Sequence, residues 1–144
     1  MTIIDTENSL GYQIKVVQHG IRNMMDRLLR EINLTTPQYA ALTILDTSPG
    51  ISGAALARKC FVTPQTMNEI LTNLSELNYV VRQQHPQHGR IIQTYLTTTG
   101  KQKLVEAELA IESVDDLLSK PLTLEEKKRI IEWLKACHTL LMRD

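Results

Sequence analysis

Cysteine, long apolar runs and net charge are all in short supply in this sequence. Its two cysteines, Cys60 and Cys137, lie 77 positions apart (137 − 60), which suits a reducing compartment better than a disulfide scaffold. No apolar run approaches the roughly 18 residues of a membrane span, so no membrane partner is expected. The opening stretch MTIIDTENSLGYQ has neither a basic region nor an apolar core. No signal peptide is expected there, and the cytoplasm is the default location. Patterns such as HExxH, CxxC, GxGxxG, the P-loop and GxSxG are missing, so nothing supports an enzyme, and no catalytic residue or cofactor is expected. Repeats and low-complexity tracts are missing as well.

What remains is the composition of a globular protein of 144 residues, 42% hydrophobic and 4% aromatic, long enough for one good core. The zero net charge hides an uneven distribution. Residues 1–57 carry four basic and five acidic side chains, and residues 106–144 carry six and nine. Between them, residues 58–105 carry six basic against two acidic, net +4. A basic middle between acidic flanks points to a module that faces a polyanion.

The breaks at NLTTPQ, TSPGISG, FVTPQ, HPQHG and SKPLTLEE are short and divide the chain into elements. Leu10, Ile14, Val17, Ile21, Met24, Leu28 and Ile32 recur at steps of three and four, one seam on a long helix that ends near Asn33. A second helix is expected from Thr36 as N-cap with Pro37 in its first turn, turning Leu42 and Leu45 inward. A third starts at Ser52 and should bury Ala55, Leu56 and Cys60. The fourth starts at Thr63-Pro64 and runs to about Leu77, with Met67, Ile70, Leu71, Leu74 and Leu77 as its buried stripe. Its other face, Gln65, Thr66, Asn68, Glu69, Thr72 and Asn73, is mostly short amide and hydroxyl side chains, the kinds that hydrogen-bond base edges. NYVVRQQ and RIIQTYL then read as a hairpin around a Pro/Gly turn. A fifth helix carries Leu104, Ala107, Ile111, Val114 and Leu118; a sixth opens with Thr123 and Glu126 in capping-box spacing and carries Ile130, Leu134, Cys137 and Leu141.

Three short helices followed by a two-stranded hairpin give a mainly α, winged helix-turn-helix class of fold, flanked by long N- and C-terminal helices. The division expected is an N-terminal dimerisation helix over 1–33, a DNA-binding domain over 34–98 and C-terminal dimerisation helices over 99–144. Apolar seams on long helices need a partner, and a homodimer would match an inverted-repeat operator in double-stranded DNA.

The run LTTPQYAALTIL, followed by SGAALARKCFVTPQTMNEILTNLSELNYVVRQ and HGRIIQTYLTTTGKQKL, resembles the MarR-type (multiple-antibiotic-resistance regulator) transcription factors. The likeness covers about Leu34 to Leu104. It implies a homodimeric winged-helix regulator, commonly a repressor released by a small phenolic or lipophilic effector. On that reading Gln65, Thr66, Asn68 and Thr72 face the major groove and Arg90 enters the minor groove. Arg82, Lys101 and Arg58 stand near phosphates. Leu96, Thr97 and Gly100 fit the motif that closes the wing. The sequence departs from the family at His88-Gly89-Arg90, where Asp-Xaa-Arg is usual, and at Glu69 and Asn73, where basic residues are common. Fewer basic residues predict modest non-specific affinity and a shallow salt slope.

His85 and His88 sit three apart in a loop with no nearby cysteine or carboxylate to complete a tetrahedral set, so solvated wing histidines are the reading and no metal is expected. Cys60 reads as core and Cys137 as part of the last seam, and a reactive thiol would need exposure beside a positive charge. An effector pocket would lie between the long helices and the reading head, with His19, Arg22, Met25 and Tyr39 as lining groups. The competing class is a winged-helix protein-interaction module with weak or no DNA binding, given the neutral net charge and the non-basic fourth helix.

Overall fold

A computed structural model describes residues 5–143. The first residues of the N-terminal stretch on which no leader was expected, and position 144 at the end of the last expected domain, lie outside it. The order is α1 (Leu10–Arg30), α2 (Thr36–Thr47), α3 (Gly53–Lys59), α4 (Pro64–Glu76), β1 (Val80–Gln84), β2 (Ile92–Leu96), α5 (Thr98–Ser119) and α6 (Leu124–Leu141). The chain forms two compact units, Met1–Ile111 and Glu112–Asp144.

Hydroxyl caps start the helices. Ser9, Thr35, Ser52, Thr63 and Thr123 each accept a hydrogen bond from the backbone N–H three residues on, satisfying a donor the helix cannot pair. The cap of α2 is Thr35, not Thr36 as expected. Gln38 completes a capping box with Thr35, its Oε1 accepting from the Thr35 N–H at 3.0 Å. That leaves the Thr36 hydroxyl to donate to the Asp26 carboxylate on α1.

Three helices end in the same way. Asn33, Phe61 and Asn78 have left-handed backbones (φ 61°, 57° and 62°). After each, a backbone N–H reaches back five residues: Leu34 to Leu29, Val62 to Ala57 and Tyr79 to Leu74, all at 2.9–3.1 Å. Asparagine tolerates this conformation, whereas phenylalanine is strained in it.

The core of the first unit gathers Leu29, Leu34, Leu42, Leu45, Leu56, Met67, Leu71, Leu74, Val80 and Leu104 with smaller neighbours. It differs from the expected stripes in detail. On α1 the fully buried residue is Leu29 rather than Leu28, and Leu10, Ile14 and Val17 are exposed. The seam of that helix is therefore a separate face from the one that meets the core. On α3 it is Leu56 and Ala57 that are buried, with Ala55 and Cys60 only half so. Leu77 is exposed because the chain has already left α4 for the turn at Asn78.

β1 and β2 pair antiparallel, Val80 opposite Leu96 and Arg82 opposite Thr94. A short bridge from Ser52 to Gln93 adds a third edge, secured by Gly50 N–H donating to Thr94 O at 2.9 Å. The base of the hairpin is tied to the start of α5. The Thr97 hydroxyl donates to Asn78 O at 2.6 Å and accepts from Gly100 N–H at 2.9 Å. A Cβ at position 100 would stand 2.0 Å from Tyr79 O, so only glycine fits there.

The second unit is the end of α5 and all of α6, joined by a short turn. Lys127 Nζ pairs with Asp115 Oδ2 at 2.7 Å across it. Val114 is buried, but α6 buries no residue, and Leu118, Ile130, Leu134 and Leu141 are all exposed.

Candidate nucleic-acid interface and effector cavity

α4 divides cleanly into two faces. Met67, Ile70, Leu71 and Leu74 go into the core, and Gln65, Thr66, Asn68, Glu69, Thr72 and Asn73 are all exposed. The residues expected at base edges thus lie together on one open face. Two of their hydroxyls are already engaged: Thr66 Oγ1 accepts from the Thr63 hydroxyl at 3.0 Å, and Thr72 Oγ1 donates to Asn68 O at 2.8 Å. Both keep a lone pair or proton for a second partner. Arg82, expected near phosphates, reaches α4, its Nη2 donating to Asn68 Oδ1 at 3.0 Å.

Arg90 lies in a tight turn at the tip of the hairpin. Ile91 N–H donates to His88 O and His85 N–H to Ile91 O, both at 2.8 Å. The histidines build this turn. His85 Nδ1 accepts from the backbone N–H groups of Gln87 and His88, each at 3.1 Å, and the two rings lie 5.0 Å apart. Neither ion pair among the described residues, Lys103–Glu106 or Lys127–Asp115, involves Arg90. Backbone hydrogen bonds close the turn that carries it. Arg58, in the last turn of α3, and Lys101, in the first turn of α5, are both exposed. Lys103 is withdrawn from any such surface, because its ammonium donates to Ile32 O and pairs with Glu106.

A cavity of about 280 Å³ opens between α1, α2 and the end of α3. Met25 and Tyr39 line it as expected, together with Thr36, Ala40, Thr43, Ile44, Lys59, Cys60 and Phe61. His19 and Arg22 are not part of the lining; both are exposed on α1, and His19 Nε2 is 3.1 Å from the Asn23 amide nitrogen. Burial pushes the Cys60 thiol above its usual pKa, favouring the protonated form.

Residues 32–91, from the end of the first helix to the wing tip, match the pattern of the MarR family. The HTH-type transcriptional repressor Rv2887 of Mycobacterium tuberculosis is 34% identical over 128 residues, covering 87% of this chain and 92% of its own. This chain belongs to the MarR family. Two crystal structures of Rv2887 share its fold. The complex with salicylic acid has a TM-score of 0.73 at 31% identity, covering 90% of this chain and 96% of that one. The complex with DNA has a TM-score of 0.75 at 29% identity, covering 90% and 97%.

Among the elements of this MarR-family chain, sequence reasoning missed the Arg82–Asn68 contact and the cavity's third wall. The first joins residues 14 apart on different elements. The second depends on Phe61 adopting a left-handed turn, for which a phenylalanine gives no signal. Lys59 and Cys60 are adjacent in the chain, a pairing of thiol and positive charge that gives no signal of a pocket wall.

Proposed function

We propose that this protein is a sequence-specific DNA-binding transcriptional regulator, a homodimeric repressor released by a small aromatic or lipophilic effector. The observation that carries the reading is the two-faced α4: an apolar stripe locked in the core presents a coherent row of amide and hydroxyl groups to solvent beside a two-stranded wing. Gln65, Thr66, Asn68 and Thr72 enter the major groove, N-terminal turn foremost. Arg90 at the hairpin tip follows the minor groove, and Arg58 and Lys101 meet phosphates. The helix over 1–33 and the helices over 99–144 serve dimerisation, flanking the DNA-binding domain at 34–98. In support, each compact unit carries an exposed apolar seam: Leu10, Ile14 and Val17 on α1, and Ile130, Leu134 and Leu141 on α6. A second copy covers them and sets the spacing of the two reading heads.

The cavity receives the effector. Its apolar walls suit a ring, and Lys59 at its edge suits a carboxylate or phenolate. An effector bound there touches α1 and the α3–α4 turn together, so it favours one spacing of the reading heads over another. Acting on the chromosome, the protein works in the cytoplasm, and no helix among its described residues is long and apolar enough to cross a membrane.

The test is a binding titration against the DNA upstream of its own gene, at two salt concentrations, with and without salicylate. Saturable binding that survives excess unrelated duplex, and is relieved by salicylate, is expected. Binding that unrelated duplex competes away equally would sink the reading. Arg90→Ala should weaken binding at least tenfold and lower the salt slope by about two, one for the arginine lost at each half-site of the dimer.

A further inference from the structure

Strand alternation directs Arg82 towards α4. Its strand neighbour two residues back, Val80, and its cross-strand partner, Thr94, are both buried, so this side of the hairpin is the inward one. The arginine stem follows that side, and its head emerges beside the exposed face of α4 to donate to Asn68 Oδ1 at 3.0 Å. The orientation of the amide is chemically forced, because a guanidinium has only donors and the atom facing it must be the oxygen. Among the described residues the Asn68 Nδ2 donates no hydrogen bond.

An unconstrained asparagine in the major groove pairs with adenine, donating to N7 while its oxygen accepts from the N6 amino group. Here the oxygen is held by a cation whose remaining N–H groups would face that same amino group. One lone pair of Oδ1 remains, but the cation beside it repels an approaching amino group, so the pair presents mainly donors to a base. Guanine presents two acceptors, O6 and N7, and matches it; adenine presents one acceptor and one donor, and does not.

We infer that Arg82 is a positioning residue that turns Asn68 from an adenine reader into one that favours acceptors, selecting guanine at one base pair of each half-site. The inference rests on the DNA-binding reading above and assigns Arg82 a role distinct from phosphate contact.

Selection from duplex pools randomised across the bound site tests it, using the full chain and the variants Arg82→Ala, Asn68→Ala, the double variant and Asn68→Asp. The wild type should prefer guanine over adenine at that position by about tenfold. Arg82→Ala should move the preference at that position, and no other, towards adenine. In the Asn68→Ala background, Arg82→Ala should change base preference no further. Asn68→Asp keeps an acceptor for Arg82 but has no donor, so it should lose the guanine preference with its thermal melt unchanged. A uniform loss of affinity across all sequences in Arg82→Ala, with the salt slope reduced by about two (one per half-site), marks a phosphate contact and overturns the inference. A wild type that selects no sequence at all overturns the DNA-binding reading itself, and the inference with it.

Discussion

α4 and α6 begin alike and end differently. Each opens on a threonine whose hydroxyl accepts from the third backbone N–H, and each carries an apolar stripe at helical spacing. The stripe of α4 is buried within its own unit; among the residues of α6 none is buried. The difference teaches that amphipathicity alone does not say where a helix packs. One stripe is satisfied within a single chain, and the other is left for the second copy proposed above.

The largest effect should come from breaking the α6 side. Ile130→Glu with Leu134→Glu places charge on the uncovered stripe, and light scattering should show a monomer whose DNA affinity has fallen by roughly a hundredfold or more, since two linked half-sites become one. Circular dichroism should remain helical; a dimer that persists would show that the stripe of α6 is not the contact. Breaking the α4 side should act on folding instead. Leu71→Ala removes a fully buried side chain and should cost about 3 kcal/mol in urea unfolding. A cost under about 1 kcal/mol would mean that the stripe is less tightly packed than its burial implies.

The turn ahead of α4 sharpens the contrast further. Phe61 occupies the left-handed position that asparagine fills at 33 and 78, and it is 85% exposed, so neither backbone preference nor burial explains it. It also lines the cavity proposed for the effector. Phe61→Gly should therefore raise stability by about 1 kcal/mol while weakening release of DNA by salicylate. A variant that is both more stable and fully responsive would remove Phe61 from the effector site. The smallest effect concerns Cys60. In a Cys137→Ala background its alkylation should be slow near neutral pH and still accelerating above pH 9, because burial holds the thiol protonated. Salicylate should slow it further, and unchanged rates with salicylate would argue that the ligand binds elsewhere.

Much of this was legible in the sequence because it was local. Thr63-Pro64 announces the start of α4, the β-branched runs announce the hairpin, and Thr123 with Glu126 announces α6. Hydrogen bonding to Thr123 also holds the Glu126 carboxyl below its ordinary pKa, as its place in a capping box requires. Failures arose where two elements meet. The heptad steps on α1 pick out Leu28, yet the core takes Leu29, because the seam and the core-facing stripe are different faces of one helix. The wing histidines read as solvated groups, but His85 turns out to cap a turn, a role set by backbone geometry rather than spacing. Arg82 could be recognised as basic and exposed; its partner could not.

The tie between Thr97, Asn78 and Gly100 has a consequence for how such a wing can vary. Because the hairpin is clamped at its base, residues 85–91 form a tip that can be shortened, lengthened or recharged without disturbing the reading helix behind it. Position 100 has the opposite character. A saturation library there should return glycine almost alone, while the same library across 86–90 should return a broad range of folded proteins with differing DNA preferences. The wing is thus an exchangeable module mounted on a fixed joint.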